Sequence, residues 1–147
     1  MYQQTHRNVT ASDGPLPMAT CMSLLRSVPT GRLVYTEDAL PAVRPVTFAL
    51  SHRQIVIPTG DNPWFYRFDG TVVGFEAGVI DPATRGGWTV LTVGRACLVS
   101  GDAGLIGCDD PAGAPWQSAP GDCYLVVDVG RITGHRTTLL RPPGDIR

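Results

Sequence analysis

The chain of 147 residues lacks any apolar run of the ~18 to 20 residues that a membrane-spanning helix requires. Met1 to Gly14 is polar and has no apolar h-region, so a secretory signal is not expected there, and the stretch reads as a mobile tail. Charge of either sign is not in excess. The net charge is −1 and the sequence pI about 6.2, which argues against a general electrostatic grip on nucleic acid or on an anionic membrane. The four cysteines, Cys21, Cys97, Cys108 and Cys123, form no Cys-x-x-Cys pair and have no histidine at ligand spacing. Reduced thiols of a cytoplasmic protein without a metal site are therefore expected. Missing too are a Gly-x-Ser-x-Gly elbow, a Walker loop, a Gly-x-Gly-x-x-Gly after a strand and a His-Glu-x-x-His. There are no internal repeats and no low-complexity tract.

What is present points to a turn-rich β protein of one domain. Hydrophobic residues make up 43% of the chain, too many for disorder, while 17 glycines and 13 prolines punctuate it at short intervals. A short helix is expected early, capped by Thr20 or Ser23, with Met22, Leu24, Leu25 and Val28 on one face and Pro29 and Gly31 ending it. Strands follow at Gly31 to Thr36, Ala42 to Leu50, Gln54 to Thr59, Thr71 to Ile80, Trp88 to Ser100 and Cys123 to Val129. Ser51-His52-Arg53 turns the second strand into the third. Pro45 and Pro58 cannot donate to a ladder, so they imply edges, bulges or ligand-facing backbone. Asp61-Asn62-Pro63 opens a loop or single helical turn that holds Trp64, Phe65, Tyr66 and Phe68. Gly101 to Gly121 reads as an exposed excursion. About six antiparallel strands with one helix describe a closed or partly closed barrel and exclude strict βαβ alternation. The folded domain is expected over residues 20–139, between tails at 1–19 and 140–147.

Few side chains stand out as chemically active. His6, His52 and His135 fall in the tail, in a turn and after the sixth strand, positions where solvated histidines are common. Asp109-Asp110 is a paired carboxylate in a Pro/Gly loop, a setting that usually faces solvent. Glu76 stands mid-strand, where a buried carboxylate would need a partner; an outward or interface position near Arg95 is the expectation. Trp88 and the Trp64-Phe65-Tyr66 cluster are placed either to cover a flat ligand or to plug a barrel. No catalytic residue is assigned.

Five segments in order carry a resemblance. They are Gly31-Arg32-Leu33-Val34; Leu40-Pro41-Ala42-Val43-Arg44-Pro45-Val46-Thr47-Phe48; Ile55-Val56-Ile57-Pro58-Thr59-Gly60; Phe75-Glu76-Ala77 running through Ile80-Asp81-Pro82-Ala83-Thr84-Arg85 to Gly87-Trp88-Thr89-Val90; and Gly94-Arg95-Ala96. Together they resemble the actinobacterial branch of the pyridoxamine 5'-phosphate oxidase-like proteins over about Ser23 to Gly134. The resemblance implies a mainly β, six-stranded antiparallel split barrel and a homodimer with FMN, or a deazaflavin, lying between the subunits. It implies a small-molecule ligand and flavin-dependent oxidoreductase chemistry. Carried over by position, the cofactor-binding candidates are Arg44, Pro45, Val46, Thr47, Thr59, Gly60, Trp64 and Trp88. Two positions depart from the pattern: Pro58 stands where relatives often have Arg before the Thr-Gly, and Pro63-Trp64 where they often have Ser-Lys. A phosphate favours charge-assisted donors, so Arg44, Arg53 and Arg67 are the cations that could replace them. The alternative implied is a member whose eroded flavin site binds or transforms a different small molecule without redox chemistry, for example in a biosynthetic pathway, with no flavin at all.

Overall fold

The computed structural model describes residues 14–100 and 123–144. A helix, α1 (Met18–Arg26), is followed by β1 (Thr30–Glu37), β2 (Leu40–Thr47), β3 (Ala49–Ser51) and β4 (Gln54–Pro58). A 3-10 helix (Pro63–Phe68) then leads to β5 (Val72–Ile80), β6 (Gly86–Ser100), β7 (Cys123–Asp128) and β8 (Arg131–Thr138). Every strand pairing is antiparallel, in the order β2-β1-β5-β6-β7-β4-β3, with β8 added to β6. The sheet does not close on itself, which is the split barrel anticipated.

The fifteen residues of β6 organise the fold. Gly86 to Val93 pair with β8, and Ala96 to Ser100 pair with β7 on the same edge of the strand. Gly94 marks the handover. A Cβ there would lie 2.7 Å from the carbonyl carbon of Asp128 and 3.2 Å from the nitrogen of Gly130, closer still to the Asp128 oxygen. Only glycine lets the β7–β8 corner cross β6 so closely.

Alternation along the strands sorts the side chains into two faces. Leu33, Phe75 and Thr92 sit directly opposite one another and are fully buried, so their row faces the core. Phe48 and Phe75 pack with ring centroids 4.6 Å apart, and α1 covers the same side with Cys21, Met22 and Leu25. The opposite face of the β2-β1-β5-β6 portion carries Val43 and Val72, 56% and 61% exposed, and Leu91, 39% exposed. Around them runs the Arg32–Glu76 ion pair.

Three local readings change. The helix begins at Met18 after Pro17, with no side-chain cap, instead of at Thr20 or Ser23. The neighbouring Leu16 N–H donates to Gly134 O at 2.9 Å, so chain before residue 20 already joins the sheet. The strand expected over Ala42 to Leu50 is two strands broken at Phe48, because the Phe48 N–H leaves the ladder for Pro29 O at 3.3 Å. Finally, the chain after Val129 makes an eighth strand. Its inward positions are Ile132, Gly134 and Arg136, too polar to show an apolar period, and Gly134 is small because Cys21 Sγ would lie 2.6 Å from a Cβ there.

Pro45 falls on β2, whose one neighbour among the described residues is β1, so it costs no ladder bond. Pro58 lies beyond the end of β3: the Thr59 N–H donates to Cys123 O at 3.2 Å, so by alternation the Pro58 nitrogen faces away from β7. Cys21 and Cys97 are free thiols, and Cys108 lies outside the described residues, as do His6, Asp109 and Asp110. No group of ligating side chains suited to a metal occurs among the described residues. No helix among them is long and apolar enough to cross a membrane.

Candidate functional site

The 3-10 helix is built by its first residues. Asn62 accepts from the Trp64 N–H at 3.0 Å, and Pro63 presets the first turn. The helix drives Phe65 and Phe68 into the core and leaves Trp64 half-buried under the edge of β2. Trp64 meets Phe65, Phe68 and Tyr35 edge-on, with centroids 4.9, 5.0 and 5.5 Å away. The aromatic cluster is thus both a barrel plug, through Phe65 and Phe68, and a surface platform, through Trp64.

Arg44 shares the inward row of Leu33, but at the open edge of the sheet its guanidinium lies 3.8 Å from the Trp64 ring centroid. Arg67 lies 5.3 Å from the same ring, donates to Trp64 O at 3.1 Å and pairs with Glu37 at 2.8 Å. The chain contains no lysine, so apart from its histidines every side-chain cation is one of its 12 arginines. Two of them stand over Trp64. No carboxylate partner of Arg44 occurs among the described residues, which leaves its charge available.

The other candidates separate into three places. Pro45 and Thr47 point to the outer face of β2, and Val46 points inward beside Gly31. Thr59 is buried and its hydroxyl lies 3.1 Å from Cys123 O and 3.3 Å from Gly60 O, so its proton is committed to these carbonyls. Gly60 has φ +56 and open space where a Cβ would be, at a turn closed by the Asn62 N–H donating to Thr59 O at 3.3 Å. Trp88 is buried at the far end of β6, opposite Val79 and Arg136. It lies four residues along and three strands across from the row of Arg44, on the order of 20 Å along the sheet. One chain therefore brings Arg44 and Trp64 together and keeps Trp88 apart. Of the replacement cations, Arg53 is at the wrong end of β4, donating to Val129 O at 3.4 Å.

Glu76 finds a partner other than the one expected. Arg32 stands directly opposite on β1 and holds it bidentately, Nε to Oε2 and Nη2 to Oε1 at 2.6 Å each. Arg95 is opposite Val72 instead and donates to Gly70 O at 2.6 Å. The pairing register, invisible in the order of residues, decides this. Burial raises the thiol pKa of Cys21 above its ordinary value, and burial followed by the charges of Asp128 and Asp69 does the same to Cys97. Neither is an activated nucleophile.

Against known proteins, the family model described as pyridoxamine 5'-phosphate oxidase matches residues 17–119. The uncharacterized protein Rv0080 of Mycobacterium tuberculosis is 33% identical over 121 residues, covering 78% of this chain and 79% of that protein. The solved FAD binding protein from Mycobacterium smegmatis is similar with a TM-score of 0.65 at 25% identity, over 85% of this chain and 98% of its own. A FAD-binding protein from Mesorhizobium loti shares the fold with a TM-score of 0.63 at 18% identity, over 86% and 98%. The match at residues 17–119 takes in α1, β1 to β6 and every candidate from Arg44 to Trp88, and the chain belongs to the pyridoxamine 5'-phosphate oxidase family.

Proposed function

We propose that this chain is a flavin-binding protein that acts on a small organic molecule as a flavin-dependent oxidoreductase, with the flavin seated beside β2 and Trp64. The observation that carries the reading is the free Arg44 guanidinium on Trp64 beneath an open strand edge. A flavin nucleotide needs a flat apolar neighbour, backbone groups for the polar rim of its ring and a cation for its phosphate. The open edge of β2 at Arg44 to Thr47 offers the backbone, Trp64 the flat surface and Arg44 the cation, so the residues present fit the group. Arg67 is the second cation within reach of the same ring, although Glu37 already holds it. Thr59 and Gly60 shape the turn rather than supply a hydroxyl donor, since the Thr59 proton is engaged inward. When bound, a flavin supplies hydride or electron transfer. The chain orients it, shields one side with Trp64 and balances its negative charge with Arg44. FMN is the form the sequence pattern favours, and FAD is what the two solved relatives are described as binding.

The assembly proposed is a homodimer. The outer face of β2-β1-β5-β6, with Val43, Val72 and Leu91 around the Arg32–Glu76 pair, is apolar and uncovered by any described element. A second copy on that face would bury on the order of 1,600 Å² in a standard interface. Light scattering should return the mass of two chains, and a mass of one at micromolar concentration refutes the dimer. The free thiols Cys21 and Cys97 are in keeping with a cytoplasmic setting.

Titration with FMN, FAD and a deazaflavin, followed by flavin fluorescence, tests the site. Saturable binding that Arg44→Ala weakens by at least tenfold, the worth of about 1.4 kcal/mol, is expected. A second reading is favoured by Pro58, which offers no donor and no charge where relatives often carry Arg: a cleft remade for another flat ligand. Absence of saturable binding by all three flavins, with the fold intact, selects it.

A further inference from the structure

The ladder between β1 and β5 is short. Arg32, Leu33 and Val34 pair with Glu76, Phe75 and Gly74, and there the pairing stops, although β1 continues to Glu37 and β5 begins at Val72. The strands splay into a wedge. A cavity of about 240 Å³ occupies it, lined by Tyr35, Thr36, Arg67, Phe68, Thr71, Val72 and Val73.

The wedge is held open from both sides. Phe68 of the 3-10 helix stands against Tyr35 with ring centroids 5.0 Å apart, which keeps β1 from closing. The start of β5 is tied to β6: the Gly70 N–H donates to Ala96 O at 2.8 Å, the Ala96 N–H to Thr71 O at 2.7 Å, and Arg95 to Gly70 O. Because Thr71 O is turned to β6, alternation turns the main-chain groups of Val72, Gly74 and Glu76 to β1. The rung that would follow Val34–Gly74 is Thr36 with Val72, so its N–H and C=O groups face the wedge with no strand partner.

The chemistry of the walls narrows the ligand. The charge of Arg67 is balanced by Glu37 at 2.8 Å, so the wedge carries no free charge from this pair. Tyr35 and Phe68 supply aromatic walls. The volume exceeds the roughly 150 Å³ that holds a benzene ring. We propose that the wedge is a second binding site, separate from the flavin candidates, for an uncharged planar heterocycle with adjacent N–H and C=O groups that completes the open rung at Thr36 and Val72. Of the residues named for the flavin only Arg67, already held by Glu37, reaches the wedge, so the proposal stands whether or not a flavin binds.

Uracil and nicotinamide serve as neutral probes and benzoate as the anionic control, each titrated into the isotope-labelled full chain and followed by amide NMR. Binding of a neutral probe in the low millimolar range or tighter, with the largest shifts at the Thr36 and Val72 amides, is expected. Thr36→Pro, which removes the N–H of the open rung without costing a ladder bond, should weaken binding at least tenfold while leaving flavin titration unchanged. Preference for benzoate, shifts centred on Trp64 and Arg44, or no binding by either neutral probe would each overturn the proposal.

Discussion

Gly94→Ala tests the crossing on which the split barrel depends. The added Cβ would meet the Asp128 carbonyl, with its carbon at 2.7 Å and the Gly130 nitrogen at 3.2 Å, all of it backbone that no rotamer change can clear. The β7–β8 corner must then move away from β6. That movement breaks the bond from the Gly130 N–H to Val93 O, 3.0 Å, and loosens the one from the Val129 N–H to Arg53 O, 2.9 Å. Two backbone hydrogen bonds at about 1 kcal/mol each, with overpacking of about 1 to 3 kcal/mol, give a loss of about 3 to 5 kcal/mol. For a chain of this size that lowers Tm by about 10 °C. Gly74→Ala is the control: its Cβ would meet Val34 Cβ at 3.2 Å and Leu91 Cδ1 at 3.6 Å, ordinary or slightly tight side-chain contacts. Its effect should stay within about 1 kcal/mol, because reduced freedom of the unfolded chain offsets the crowding. Calorimetry of both variants decides. Equal melting temperatures, within about 2 °C, would refute the crossing.

Three further outcomes follow from single positions. Pro58→Arg should tighten FMN roughly tenfold to a hundredfold, from a starting affinity in the micromolar range or weaker, since a charge-assisted contact is worth about 1.5 to 3 kcal/mol; its nitrogen has no strand partner to lose, and an unchanged Kd by fluorescence titration would show that position 58 does not reach the phosphate. Arg85→Gly should stabilise the fold by up to about 1 kcal/mol, because Arg85 holds φ +60, a conformation that penalises a side chain, and its buried Nε has no hydrogen-bond partner among the described residues; a lower urea midpoint would contradict this. Because the folded thiols of Cys21 and Cys97 have raised pKa values, their contribution to stability is whole below the free-thiol value of about 8.5 and is lost as pH rises through the folded values. Alkylation of Cys97, exposed though it is, should therefore lag a free thiol at pH 8, and equal rates would argue against the effect of burial and of the repelling charges of Asp128 and Asp69.

Local rules were enough to read the segments of this chain. The apolar alternation of Thr71 to Ile80 and Trp88 to Ser100, the turn at His52-Arg53 and the ladder-breaking nitrogens of Pro45 and Pro58 each act within a few residues, and the strands, hairpin and open edges they imply are present. The ordered motifs from Gly31 to Ala96 also carried the family. What depended on contacts between distant residues was not legible. Arg131 to Thr138 shows no apolar period, because an edge strand needs only Ile132 and a notch at Gly134 for Cys21. Glu76 is paired by register, which places Arg32, 44 residues earlier, opposite it and leaves Arg95 four positions away. Thr59 keeps its place in the motif, yet its hydroxyl turns inward to Cys123, 64 residues later, and only β7 packed on β4 decides that. The stacking of Arg44 on Trp64 and the open rung at Thr36 and Val72 arise the same way: the 3-10 helix packs under β1 and β2, and the free energy of that packing belongs to the assembled sheet rather than to any one segment.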